Sequence, residues 1–126
     1  MPENRLSESE LYIMRAFWAH GGMGTDELGA LVATRGWKPT TLLTFLSRLA
    51  AKGMLAVEKR GKSNWYSPLV SREEYGRGEG RAFLDELYGG SARDFLAAMV
   101  EGRALSADEV AELRAWLNAR EVNTDD

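Results

Sequence analysis

The sequence contains no cysteine and a single histidine among its 126 residues. The lack of cysteine excludes disulfides, thiolate metal sites and cysteine nucleophiles, and His20 alone cannot form a multi-histidine metal site. We therefore expect no metal and no cofactor. An enzyme is the least favoured class, because the sequence also lacks metal-binding and phosphate-loop motifs.

Long apolar runs are missing as well. A membrane-spanning helix needs about 20 continuous apolar residues, and the chain has no such stretch. Residues Met1–Leu6 lack the basic and apolar blocks of a secretory signal. The sequence therefore predicts a cytoplasmic protein that does not insert into a membrane.

The charge is unevenly distributed along the chain. The net charge of -3 argues weakly against a nucleic-acid partner, because a DNA-binding surface must offer cations to the phosphates. However, the segment from Arg35 to Lys62 has seven basic residues and one acidic residue, whereas the segment from Arg72 to the end has seven basic and 13 acidic residues. This asymmetry predicts that the middle of the chain contacts phosphate and that the C-terminal part has another role.

Three positions carry the same helix-start signature, a serine followed three residues later by a glutamate. In such a capping box each side chain bonds the main chain of the other residue, and apolar residues flank each pair. The pairs are Ser7 and Glu10, Ser71 and Glu74, and Ser106 and Glu109. They predict helices that start near residues 8, 72 and 107.

Two more helices are predicted between the first two of these starts. Thr25 is a suitable cap for a helix from residue 26 to about 33. Pro39 is suited to the first position of a helix that runs to Lys52, where Gly53 ends it.

The helix at 39–52 has two different faces. An apolar stripe is formed by Leu42, Phe45, Leu46 and Leu49. The other face is short, polar and cationic, and consists of Thr40, Thr41, Thr44, Ser47, Arg48 and Lys52. A solvated helix face is the ordinary explanation, but the neighbouring segments favour contact with DNA.

After Gly53 the apolar period changes to two, which predicts a β-hairpin ending at Pro68. Three helices followed by a cationic hairpin are typical of a winged helix, here residues 1–70, in which the third helix enters the major groove and the wing, residues 59–64, lies on the backbone. A purely structural hairpin is the alternative. The predicted DNA contacts are Thr25, Lys38, Thr40, Thr41, Thr44, Ser47, Arg48, Lys52, Lys59, Arg60, Lys62 and Asn64.

The second part, residues 71–126, is predicted to be wholly helical. Three short amphipathic helices cannot bury every apolar face alone, which favours a homodimer, with packing onto the winged helix of the same chain as the alternative. The predicted dimerisation residues are Tyr75, Phe83, Leu84, Leu87, Tyr88, Phe95, Leu96, Met99, Val100, Leu113, Trp116 and Leu117. Alternating Gly76, Gly78 and Gly80 weaken the first helix, which suggests a soft joint between the two parts.

Several segments in order resemble one known family across nearly the full chain, from about Leu6 to Leu117. The matching pieces are Leu6-Ser7-Glu8-Ser9-Glu10 with Met14 and Trp18; Trp37-Lys38-Pro39 with Thr41, Thr44, Leu46 and Arg48-Leu49; Lys52-Gly53; Tyr66-Ser67-Pro68-Leu69-Val70-Ser71; and Phe83-Leu84-Asp85-Glu86-Leu87-Tyr88-Gly89-Gly90-Ser91. Their order and spacing resemble the penicillinase-repressor (BlaI/MecI/CopY) family of transcription regulators. The resemblance implies a homodimer with an N-terminal winged helix that binds palindromic DNA operators and blocks transcription.

The resemblance also implies a release mechanism, with departures in this chain. In antibiotic-responsive members a membrane sensor-protease pathway leads to cleavage of the C-terminal region, and the usual Asn–Phe bond falls here at Ala98–Met99. The chain has Lys38, Thr40 and Leu43 where the family commonly has serine, lysine and arginine, so the operator is expected to differ. The cysteine pairs of copper-responsive members are missing, which excludes copper sensing through thiolates.

The sequence therefore predicts a mainly helical, dimeric repressor with a small β-hairpin wing. Two alternatives from other classes are a winged helix that binds an acidic protein partner and a ligand-sensing winged-helix regulator. Binding to random DNA separates the first alternative from a repressor, because a repressor binds any DNA weakly and with a steep salt dependence.

Overall fold

A computed structural model describes residues 5–120 of the chain. It is mainly helical with one small antiparallel sheet, which confirms the predicted fold class. The elements in chain order are α1 Glu8–His20, β1 Met23–Gly24, α2 Thr25–Leu31, a 3₁₀ turn Ala33–Arg35, α3 Pro39–Ala51, β2 Leu55–Arg60, β3 Ser63–Pro68, α4 Arg72–Tyr88, α5 Ala92–Glu101 and α6 Ala107–Ala119.

The capping boxes start α1, α4 and α6 at the predicted residues. At each start the glutamate main-chain N–H donates to the serine hydroxyl and the serine N–H donates to the glutamate carboxylate, with distances of 2.8 to 3.2 Å. These bonds satisfy main-chain N–H groups that the first turn of a helix leaves without partners.

The second helix begins one residue earlier than expected. Gly24, and not Thr25, is the N-cap, and its N–H lies 3.5 Å from Oε1 of Glu27. Gly24 pairs with Trp65 in the sheet, so β1 leads directly into α2 and Thr25 already belongs to the first helical turn. α2 is also shorter than predicted, because the chain tightens into the 3₁₀ turn before Gly36.

The core of the N-terminal unit lies between α1, α2, α3 and the sheet. The sheet order is β1-β3-β2, with every pair antiparallel. The buried apolar side chains are Leu6, Ile13, Met14, Phe17, Met23, Leu28, Val32, Leu42, Leu46, Leu49, Met54, Leu55 and Tyr66. The sheet closes one side of the three-helix cluster, as in a winged helix.

The predicted hairpin is formed by β2 and β3. Its last pair is Arg60 with Ser63, so Gly61 and Lys62 alone make the turn. Gly61 has φ 61°, and a two-residue turn with glycine first is the type II′ arrangement that suits the twist of a hairpin.

The chain divides into two compact units between Ala82 and Phe83, inside α4, and not at the predicted boundary after residue 70. The first turns of α4 stay with the N-terminal unit because Tyr75 packs there: its ring lies 5.9 Å from that of Trp18, and its hydroxyl accepts a bond from the Leu6 N–H at 3.1 Å. Farther along the helix, Glu79 forms an ion pair with Arg5 at 3.0 Å. Tyr75, predicted as a dimerisation residue, therefore contributes to packing within this unit.

The C-terminal unit contains the end of α4 together with the whole of α5 and α6. Gly89 and Gly90 separate α4 from α5 as predicted. Phe83, Tyr88 and Phe95 form a cluster with ring centroids 5.5 to 5.9 Å apart. Offset and edge-on ring pairs of this kind stabilise the connection between the two helices.

Within residues 5–120, no helix combines the length and the apolar character needed to cross a bilayer.

Candidate nucleic-acid interface

The apolar stripe of α3 fixes the helix on the core. Leu42, Leu46 and Leu49 are buried, whereas Thr40, Thr44, Ser47 and Arg48 on the other side are exposed. Because the side chains at spacings of three and four lie on one face, this arrangement presents a mainly polar surface to the outside.

Aromatic residues hold the start of α3 in place. Trp37 lies edge-on to Phe45 at 5.0 Å and to Tyr12 at 6.0 Å between ring centroids. Arg35 stacks on the rings of Tyr12 and Trp37 at 4.5 and 5.0 Å and forms two hydrogen bonds with Glu8, at 2.6 and 2.9 Å. The hydrogen bond from Arg35 lowers the pKa of Glu8. Arg35 therefore orients the helix, and its charge is already matched.

Two threonines of the outer face are less free than the sequence suggests. The Thr44 hydroxyl donates to the main-chain O of Thr40 at 3.0 Å, which leaves its oxygen able only to accept a further bond. Thr41 is half-buried at the edge of the face. Ser47 and Arg48 are exposed, and they carry the polar groups that are most available on the helix.

Lys52, one of the predicted DNA contacts, has hydrogen-bond partners within the chain. Its Nζ donates to Oε1 of buried Glu10 at 2.6 Å and to the main-chain O of Arg5 at 3.2 Å. Burial on its own raises the pKa of Glu10, but hydrogen bonds from Lys52 and Ser7 outweigh it and hold the pKa below its ordinary value of 4.5. Lys52 thus ties the end of α3 to the start of α1, and its charge is matched within the chain.

The hairpin tip carries exposed cations. Lys59 and Lys62 are exposed, and Arg60 stacks on Trp65 at 4.1 Å while its Nε bonds to Glu58 at 3.0 Å. The Arg60 charge is therefore partly matched, although both partners of this pair remain largely exposed. Lys59 and Lys62 are the better candidates for phosphate contact.

The remaining predicted contacts lie at the edges of the surface. Lys38 is the N-cap of α3 and is exposed, but its side chain forms no capping bond. Asn64 is exposed opposite Lys59, and its Nδ2 lies 3.5 Å from the Tyr66 hydroxyl. Thr25 is half-buried at the start of α2. In the described part of the chain, no carboxylate pairs with Lys38, Arg48, Lys59 or Lys62.

A comparison with protein families matches residues 6–119 to a family described as Penicillinase repressor. The chain belongs to the penicillinase repressor family. The predicted family is thereby confirmed. This family consists of DNA-binding transcriptional repressors, which also confirms the prediction that the chain is not an enzyme.

Individual members of the family support the same assignment. The chain is 32% identical over 110 residues to the "Penicillinase repressor" of Bacillus licheniformis, with 86% of each chain covered. It is 27% identical over 116 residues to the "Methicillin resistance regulatory protein MecI" of Staphylococcus aureus (strain N315), covering 91% of this chain and 94% of the relative.

A solved structure extends the similarity to the fold. The solution structure of the DNA binding domain of the repressor BlaI shares 33% identity with a TM-score of 0.53, covering 59% of this chain and 92% of that domain. The similarity confirms the winged-helix prediction for this member of the penicillinase repressor family.

The C-terminal unit of this family member is notable for exposed apolar side chains. None of its residues from 83 to 120 is buried. Leu87 is 65% exposed and Trp116 is 52% exposed, and Phe83, Leu96, Val100 and Leu117 are also exposed. The other predicted dimerisation residues of this unit, Leu84, Tyr88, Phe95, Met99 and Leu113, are half-buried. Leu96, Val100, Leu113 and Leu117 line a shallow apolar groove of about 250 Å³.

Sequence reasoning missed one feature of the interface. The aromatic and arginine contacts around Trp37 join residues distant in sequence, so no local pattern predicts them. Leu43, one of the departures from the family that the sequence already indicated, is exposed on the outer side of α3.

Proposed function

We propose that two copies of this family member bind together to a two-fold symmetric DNA operator and repress transcription by occluding it. In each copy α3 enters the major groove and the hairpin tip contacts the backbone. The observation that carries this proposal is that the outer face of α3, with Arg48, and the cationic tip of the hairpin are both exposed in the same unit.

The charges on this surface favour DNA over a purely structural role. The cations of Lys38, Arg48, Lys59 and Lys62 are exposed and unpaired among the described residues, so their charge is available to replace condensed counterions on a duplex. Arg48 is the best candidate for a guanine or phosphate contact, and the methyl groups of Thr41 and Thr44 suit thymine methyls. The two lysines of the hairpin supply charge without sequence information.

The homodimer is supported by the C-terminal unit. A 38-residue segment from 83 to 120 that buries none of its apolar side chains lacks a core of its own. A second copy with the same apolar surface can cover it in a symmetric, self-complementary contact. Such a dimer would place the two α3 helices about 34 Å apart, one turn of DNA.

Relief of repression by a membrane sensor-protease pathway would require α5 to open. Ala98 and Met99 lie inside α5 and are half-buried, whereas a protease binds its substrate as an extended strand. Cleavage at this bond would therefore follow local unfolding of α5.

The DNA part of the proposal is tested by selecting bound sequences from a random DNA pool with the full chain. We expect a two-fold symmetric consensus, together with weak binding to random DNA that falls steeply as salt rises. If the selection enriches no sequence and the chain shows no salt-dependent binding to DNA, the proposal is contradicted. That result would favour a protein partner for the cationic surface.

The dimer part is tested by sedimentation equilibrium. Trp116→Ala should weaken self-association by about 2–4 kcal/mol, because a symmetric contact loses the ring twice. Ala115→Gln, at an exposed position about 100° around the same helix from Trp116, is the matched control and should leave association unchanged. A wild-type chain that remains monomeric at high micromolar concentration would contradict the dimer.

A further inference from the structure

One large apolar side chain lies on the mainly polar outer side of α3. Leu43 is 43% exposed and is the fifth residue of the helix, in the half whose residues approach base edges in helix-turn-helix proteins. It follows Thr40 by three residues and precedes Ser47 by four, so the three side chains are neighbours on one strip of the helix.

The position of Leu43 on the helix explains its exposure. Its neighbours Leu42 and Leu46 occupy the core, with 6% and 0% of their surface exposed. Leu43 lies about 100° around the helix from Leu42, away from the core. An exposed leucine is ordinary on a protein surface, but this one would become buried when α3 enters a groove.

The chemistry of the major groove restricts what Leu43 can contact favourably. Leucine neither donates nor accepts a hydrogen bond, and placing it against an amino group or carbonyl of a base removes water from that group without replacement. Thymine alone presents an apolar group in this groove, its C5 methyl.

We propose that Leu43 reads a thymine methyl at one fixed position of each operator half-site. This inference rests on the proposed function, because it requires α3 to lie in the major groove. It assigns to Leu43 a role in sequence specificity, in addition to the hydrogen bonds and charges of Thr44, Ser47 and Arg48.

The test uses the full chain and the operator obtained by selection. Each thymine is replaced in turn by deoxyuridine, which removes only the methyl group, and binding is measured by an electrophoretic shift series. We expect wild type to lose affinity by about three- to fivefold at one thymine position in one half-site, and by about 10- to 25-fold when both half-sites are replaced.

Two variants decide whether Leu43 makes the contact. Leu43→Ala should bind the thymine and deoxyuridine operators equally at that position, and Leu43→Met should keep part of the difference. Leu31→Ala is the matched control, since Leu31 has the same 43% exposure on α2 and should leave the full methyl effect intact. Unchanged binding to random DNA would show that Leu43→Ala is folded.

The outcomes distinguish failure of this inference from failure of the proposed function. A wild-type chain that binds its operator with no thymine position sensitive to Leu43 would overturn the inference alone. A chain that binds neither selected nor random DNA would overturn both. If Leu43→Ala no longer distinguishes thymine from deoxyuridine and Leu31→Ala still does, the assignment of Leu43 to the thymine methyl is supported.

Discussion

Glu10 stabilises two parts of the N-terminal unit at once. Its carboxylate accepts the Ser7 N–H at 2.8 Å in the capping box and the Lys52 ammonium at 2.6 Å at the end of α3. Burial opposes the charged form, but these bonds compensate for it, so the pKa of Glu10 stays below its ordinary value. One carboxylate thus connects the start of α1 to the helix that carries the candidate interface.

Replacement of this carboxylate should be costly and should change the acid response. Glu10→Gln is expected to destabilise the fold by roughly 2 kcal/mol at neutral pH, because it leaves Lys52 without its counter-charge. Since the folded pKa is lowered, the contribution of Glu10 is present above its ordinary value of 4.5 and is lost as the pH falls through the folded pKa. Urea unfolding at a series of pH values measures both effects.

The control for this prediction is Glu8→Gln. Glu8 also has a lowered pKa, but it is exposed and paired with Arg35 on the surface, so the substitution should change stability little. Equal stability of Glu10→Gln and wild type at neutral pH would contradict the role given to Glu10.

The cations of the interface should differ in what they contribute. Arg48→Ala is expected to lower operator affinity by about 1–3 kcal/mol and to relax the base preference at one position. Lys62→Ala should weaken binding to all sequences alike and reduce the salt slope by about one. An electrophoretic shift series in which neither variant shows its effect would exclude both assignments.

The residue scale also shows what local sequence can predict. The capping boxes at Ser7, Ser71 and Ser106 depend on residues three apart, and the structure confirms all three. The partner of Lys52 lies 42 residues away in sequence. The position of Lys52 at the end of a polar helix face suggested a contact with DNA. Helical spacing alone cannot reveal that a carboxylate on another helix is its partner.

Among the elements, the sheet depends on a close approach at the end of α1. A Cβ built on Gly22 would lie 2.7 Å from Nε1 of Trp65 and 3.2 Å from the main-chain O of Tyr66. Since Trp65 also carries the stacked Arg60, this contact links the α1–β1 turn to the hairpin. Space, and not a special backbone angle, requires glycine at this position.

Gly22→Ala should therefore destabilise the fold by about 1–3 kcal/mol, because the hairpin must shift to admit a methyl group. Gly29→Ala is the matched control: it lies within α2, its new Cβ would meet Leu42 at an ordinary 3.9 Å, and alanine is the better helix former. Urea unfolding measures the difference. If Gly22→Ala proves as stable as Gly29→Ala, the close contact between Gly22 and Trp65 does not hold the hairpin in place.

α4 is continuous through its three alternating glycines, but we predict that it is soft there. A Cβ at Gly76, Gly78 or Gly80 would meet no atom within 4 Å, so alanine fits at each. Replacing all three should stabilise the helix by about 1 kcal/mol per site and raise hydrogen-exchange protection around them. Wild-type protection at these glycines equal to that of Phe83 and Leu87 would contradict a soft joint.

Secondary structure was predictable where its signals are local, and less so where tertiary contacts decide. The start of α3 at Pro39 and the hairpin that ends at Pro68 follow from proline chemistry and apolar period. The start of α2 does not, because Gly24 is held by Trp65 on β3, a pairing that the sequence around Thr25 cannot show. The same holds for Tyr75, whose packing on Trp18 keeps the start of α4 with the N-terminal unit.

At the scale of the whole molecule, two properties complement one another. The N-terminal unit holds its core and presents polar and cationic side chains, whereas the C-terminal unit presents apolar side chains. The uneven charge of the sequence predicted cations in the middle of the chain, and the short amphipathic helices of the second part predicted apolar faces that it cannot bury alone. The dimer that we propose requires both, since one unit would bind DNA and the other would hold two copies together.

The central claim is that two copies place two α3 helices in successive major grooves, and footprinting of the complex on a selected operator tests it most directly. We expect two patches of protected guanine N7 atoms, related by a two-fold axis and about 10 base pairs apart from centre to centre. A single protected patch, or protection confined to the minor groove, would contradict the account.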